Sequence, residues 1–101
     1  MSNSLIQIFN IAYANMVDVI QSSKDYLKCI RAINHALDSL LSAKSYLDEI
    51  EKSSLSNLLI VAKSFQRKYQ DKDKEEVQDL KNYLAILQDL VPSCPKPSKR
   101  S

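Results

Sequence analysis

Between Ser4 and Val91 the chain contains no glycine and no proline, and its three prolines, Pro92, Pro95 and Pro97, crowd into the last ten residues. Proline removes a helical hydrogen bond, and glycine in a helix interior costs about 1 kcal/mol relative to alanine. With neither present, nothing before the tail forces a sharp break. Hydrophobic periodicity then decides the local structure, and it reads as helix after helix.

The first stripe is Leu5, Phe9, Ala12, Met16 and Val19, at spacings of four, three, four and three. Ile6, Ile8, Tyr13, Val17 and Ile20 broaden it, and no charge appears until Asp18. Ser4 is the expected N-cap. A helix this apolar sits centrally or turns one side toward a partner. Ser22-Ser23-Lys24 is the first break, with Ser22 and Asp25 spaced as a capping box. The second stripe runs through Tyr26, Ile30, Ile33, Leu37, Leu40 and Leu47, which predicts a long helix reaching Ile50. Glu51-Lys52-Ser53-Ser54 is read as a turn, because a continuous rod would leave its apolar face uncovered.

The third stripe is Leu55, Leu58, Ala62, Phe65 and Tyr69. The polar run Gln70 to Lys74 separates it from the fourth, with Asp73 and Glu76 as a capping box. The fourth stripe is Val77, Leu80, Leu84, Leu87 and Val91, and Pro92 ends it. The expected fold is all-α: an antiparallel four-helix bundle over 1–91 with near-heptad packing, followed by a short disordered basic tail over 92–101.

Charge narrows the partners. The net charge is +2, and Lys96, Lys99 and Arg100 supply three positives, so residues 1–91 sum to 2 − 3 = −1. A near-neutral body with a short basic tail is not the footprint of a nucleic-acid binder. No stretch approaches the roughly 20 apolar residues of a membrane span. The amino terminus lacks the positive charge of a secretory signal. Two cysteines, Cys29 and Cys94, make no disulfide framework and no CxxC, so a cytoplasmic location is expected.

Catalytic signals are absent. His35 is the only histidine, and its helical neighbours are Arg31, Ala32, Asp38 and Ser39; a contact with Asp38 reads as surface electrostatics. Cys29 reads as a half-buried inert thiol. Lys63, Arg67 and Lys68 form a small basic ridge, read as a solvated face that also suits a helix C-terminus. The five tyrosines, Tyr13, Tyr26, Tyr46, Tyr69 and Tyr83, lie on or beside the stripes, as bundle-edge or interface tyrosines do. No metal, no cofactor and no enzymatic activity are expected.

Several local patterns then converge. Ser4-Leu5-Ile6 opens the first helix, Ala32-Ile33-Asn34 lies in the second, and Leu47-Asp48-Glu49-Ile50-Glu51-Lys52-Ser53-Ser54 precedes the third. Asn57-Leu58, Tyr69, a polar Asp/Lys linker and Glu75-Glu76-Val77 follow. Over roughly Ser4 to Val91 this order resembles the flagellar secretion chaperone FliS family. The departures are a short amino-terminal arm, Ser53-Ser54 where the family usually has glycines, and no tryptophan near the end of the last helix.

The resemblance implies a cytoplasmic export chaperone. It would bind the disordered C-terminal segment of a flagellin-like client as helices and block premature polymerisation. Surplus apolar residues beside the stripes are the expected partner-binding set: Ile8, Ile11, Tyr13, Ile60, Val61 and Tyr83. The free protein is expected to be a monomer or weak homodimer. Two alternatives stay open: a structural bundle subunit of a larger assembly, and a bacteriocin-immunity-type binding protein.

Overall fold

The computed structural model describes residues 4–69 and 75–90. They form four α-helices, α1 (Ser4–Ser22), α2 (Tyr26–Ser42), α3 (Lys52–Lys68) and α4 (Glu75–Leu90), with a 3₁₀ helix, Lys44–Glu49, between α2 and α3. No strand occurs among the described residues. The expected all-helical architecture is therefore observed.

α1 buries Phe9, Ala12 and Met16 at spacings of three and four, as its stripe requires. Because Ser4 already lies inside the helix, the capping position falls outside the described residues. The break after α1 differs from the capping box expected from Ser22 and Asp25. Ser22 is the last residue of α1, and its hydroxyl donates back to the Asp18 carbonyl at 2.8 Å. Asp25 alone caps α2, its Oδ1 accepting from the Leu27 N–H at 2.9 Å. A carboxylate is the stronger acceptor here, since it also faces the positive end of the helix dipole.

α2 buries eight of its seventeen residues: Cys29, Ile30, Ala32, Ile33, Ala36, Leu37, Ser39 and Leu40. It stops at Ser42 and does not reach Ile50. The Ala43 N–H donates to the carbonyls of Ser39 and Leu40 at 3.1 and 3.0 Å, which closes the last turn. The 3₁₀ segment follows, with Tyr46 at non-helical φ −116°, ψ 21°. Length explains the early stop. At 1.5 Å per residue, α2 spans about 26 Å, close to its three neighbours; running on to Ile50 would project it roughly 12 Å past them. The 3₁₀ segment and the extended Ile50 (φ −84°, ψ 140°) turn the chain back instead.

α2 and α3 are thus separate helices, as expected. The break lies earlier than Glu51–Ser54, over 43–51: Lys52, Ser53 and Ser54 form the first turn of α3, and Glu51 precedes it without a side-chain cap. α3 buries Leu55, Leu58 and Ala62 and carries Arg67 and Lys68 in its last turn. α4 opens on Glu75 and Glu76, which suit the positive helix end, and buries Val77, Leu80, Leu84 and Leu87. The expected Asp73 cap, the stop at Pro92 and the tail with Cys94 lie outside the described residues.

The closest backbone packing joins α1 to α2 and α2 to α4; α3 packs against α4 and α2. α2 is therefore the post on which the other helices rest. The core formed around it includes Phe9, Met16, Ile30, Ile33, Leu37, Leu40, Leu58, Leu80 and Leu87, all at most 1% exposed. Leu37→Ala should cost about 2–5 kcal/mol, a buried-cavity penalty. Ile11→Ala, on the outside, should change stability by less than about 0.5 kcal/mol. Urea unfolding of the two variants measures the contrast.

Candidate functional site

The six residues expected to contact a partner fall into two groups, because α1 packs on α2 whereas α3 packs on α4 and α2. Ile8, Ile11 and Tyr13 belong to the first group, and Ile60, Val61 and Tyr83 to the second. Within each group, exposure separates surface from core. Ile8 and Ile11 are 49% and 70% exposed, and Ile60 is 64% exposed. Tyr13, Val61 and Tyr83 are half-buried and pack against the core. Tyr13 leans on Phe9, with ring centroids 6.0 Å apart.

Ile8 and Ile11 stand one helical turn apart on the outer face of α1. Their exposed neighbours are Ser4, Gln7, Asn10, Ala14 and Asn15, none of them charged. The result is an uncharged outer face over the first three turns of α1, with two isoleucines set among neutral polar side chains. Such a face is suited to receive another apolar helix face, since no charge must be desolvated.

Two exposed apolar residues were not among the expected set, Leu27 on α2 and Ile86 on α4. Ile86 immediately precedes the buried Leu87, and one residue along a helix is a rotation of about 100°. That step carries Ile86 off the stripe. The same step separates the exposed Ile60 from the half-buried Val61.

The polar groups concentrate at the end of the molecule where α2 begins. Tyr26 packs on Tyr69, with centroids 4.2 Å apart at 55°, and Tyr69 packs on Phe65 at 5.7 Å. The Lys68 ammonium lies 5.5 Å from the Tyr69 ring centre. On α4, the Glu76 carbonyl accepts from the Asn34 Nδ2 at 2.7 Å, and its carboxylate meets Arg31 at 3.5 Å. The Arg31 side chain is largely exposed, so this ion pair contributes at most about 1 kcal/mol. Together these contacts tie the C-terminus of α3 and the N-terminus of α4 to α2. They act as a structural clamp on both ends of the connection over 70–74.

Two buried atoms of this clamp have no hydrogen-bond partner among the described residues, the Tyr26 hydroxyl and the Asn34 Oδ1. Burial raises the Tyr26 pKa above the ordinary tyrosine value, and the nearby Glu76 and Tyr69 raise it further. Tyr83 is raised in the same way, by burial and then by Asp38 and Asp79.

Cys29 is buried outright, not half-buried as expected, and its thiol lies 3.7 Å from the Ser23 carbonyl. Burial pushes its pKa up, Asp25 pushes in the same direction, and Lys68 acts against both. Raising the pKa suppresses the thiolate, the opposite of what a nucleophile needs. His35 is exposed on α2. Among the described residues, no group of three or more His, Cys, Asp or Glu could hold a metal ion. No described helix is long and apolar enough to cross a membrane.

Comparison with known proteins gives no match: no family model, no curated protein and no solved structure is significantly similar to the chain.

The unpaired Tyr26 hydroxyl has a direct consequence. Tyr26→Phe removes a buried polar atom that has no partner among the described residues, so it should leave stability unchanged or raise it by up to about 1 kcal/mol near neutral pH. A raised folded-state pKa favours the protonated form in the native state. Stability is thus complete below the unfolded tyrosine pKa of about 10 and falls as pH rises through the folded value. Tyr26→Phe should flatten that alkaline fall, as read from urea midpoints at neutral and alkaline pH.

Proposed function

We propose that the protein binds an amphipathic helical segment of another protein on the outer face of α1, with Ile8 and Ile11 as anchors. The observation that carries the reading is an exposed isoleucine pair on a helix face free of charge over three turns. Isoleucine in that position contributes little to the fold, and its apolar surface stays in water until a partner covers it.

The specific form of this reading is an export chaperone similar to the FliS family, resting on the residue pattern between Ser4 and Val91. In that form the four helices make an antiparallel bundle, the protein works in the cytoplasm, and the client is the flagellin-like segment. The client would fold on binding, since a disordered segment gains helix when its apolar stripe is buried. The protein's own role is physical, holding the client monomeric and competent for export, and it involves no cofactor. Ile60, Val61 and Tyr83 would form a second contact for a client long enough to wrap from one group to the other.

A flagellin C-terminal peptide should bind one per chain and gain helical circular dichroism on titration. Ile8→Ser/Ile11→Ser should weaken binding at least about tenfold, because each isoleucine buried against a partner contributes roughly 1.5–3 kcal/mol. Its urea midpoint should stay near the parent's. Binding unaffected by the double substitution would place the client elsewhere; no binding to the parent would exclude the flagellin-like client.

A further inference from the structure

The outer faces of α3 and α4 carry opposite charge around matching apolar centres. α3 contains Lys52, Lys63, Arg67 and Lys68 and no acidic residue. α4 contains Glu75, Glu76, Asp79 and Asp89, and its one cation, Lys81, is not among the exposed positions. Each helix has one large exposed apolar residue, Ile60 at 64% and Ile86 at 48%. Glu76 pairs with Arg31, whereas Lys63, Arg67, Asp79 and Asp89 form no ion pair among the described residues.

The spacing of these residues brings cations of α3 into register with carboxylates of α4 when the two isoleucines meet. On α3, Arg67 lies seven residues after Ile60 and all but in line with it, since seven residues is nearly two full turns. On α4, Asp79 lies seven residues before Ile86, again in line. Both displacements are about 10 Å along the axis. If α3 is laid antiparallel on α4 of another copy, with Ile60 against Ile86, Arg67 comes opposite Asp79. In the same register Lys63 faces Tyr83, and Asn57 faces Asp89. A parallel alignment instead sets Lys63 opposite Asp89 and carries Arg67 past the end of α4. Because α3 and α4 are neighbours in the fold, the same contact can form twice about a two-fold axis.

We propose that this face is a self-association surface, in which the basic face of α3 of one copy docks on the acidic face of α4 of a second copy. The inference does not rest on the client reading, which uses α1. Ile60 is shared by both, so a wrapping client would compete with the second copy at that position.

The test uses the full chain and two charge-swapped variants. One is Lys63→Glu/Arg67→Glu, which makes both faces acidic; the other is Asp79→Lys/Asp89→Lys, which makes both basic. Sedimentation equilibrium at low ionic strength should show a concentration-dependent dimer for the parent, weakening at least tenfold in high salt as the pairs are screened. Each variant alone should be monomeric, and an equimolar mixture should recover a heterodimer. All four positions are exposed, and circular dichroism confirms folding. If a variant does not fold, the salt dependence of the parent decides. A parent that stays monomeric at low salt, a dimer indifferent to salt, or folded variants that do not recombine would each overturn the proposal.

Discussion

Everything in this fold depends on the burial of α2. Residues along one half of its circumference, from Ile30 through Ala36 to Leu40, are inaccessible, and α1, α3 and α4 each pack against it. Alanines at 32 and 36 let neighbouring backbones approach closely, while Ile33 and Leu37 fill the space between them. The connections serve the same end. Asp25 starts α2 cleanly, and the 3₁₀ segment ends it at the length of its neighbours.

Anchoring to a central helix leaves the outer faces free of structural duty. On α1 that freedom appears as an uncharged face with two exposed isoleucines, and on α3 and α4 as two faces of opposite charge around single isoleucines. The aromatic and polar clamp of Tyr26, Tyr69, Asn34 and Glu76 has the contrary character: its members touch one another and hold helix ends in place. Its unpaired buried atoms are a modest cost of bringing three helix termini together at one end.

Much of this was legible in the sequence. The stripes through Phe9, Ala12 and Met16, through Ile30, Ile33 and Leu37, and through Leu80, Leu84 and Leu87 are the buried faces observed. Helical period alone settles such positions, because each stripe repeats over several turns. Helix ends were harder. The apolar spacing continues from Leu40 to Leu47, so periodicity extends α2, yet only the lengths of its neighbours tell where it must stop. The cap at Asp25 was obscured by a competing serine whose hydroxyl bonds backward within α1. The surface residues were split: Ile8, Ile11 and Ile60 are exposed, but Val61, Tyr13 and Tyr83 are partly covered by neighbours distant in sequence. Ile86 flanks the fourth stripe and was left out of the expected contact set, because a residue beside a stripe can lie on either side of the boundary, and tertiary contacts decide which. The charge contrast between α3 and α4 gains meaning only once the exposed positions of each helix are known.

Native-state hydrogen exchange tests the central role of α2 most directly. Amides from Ile30 to Leu40 should exchange only through global unfolding, with protection equal to the full unfolding free energy, while the ends of α1 and α3 open at lower cost. If α2 exchanged through local openings, or less slowly than Phe9–Met16 of α1 or Leu80–Leu87 of α4, the fold would not be organised around it.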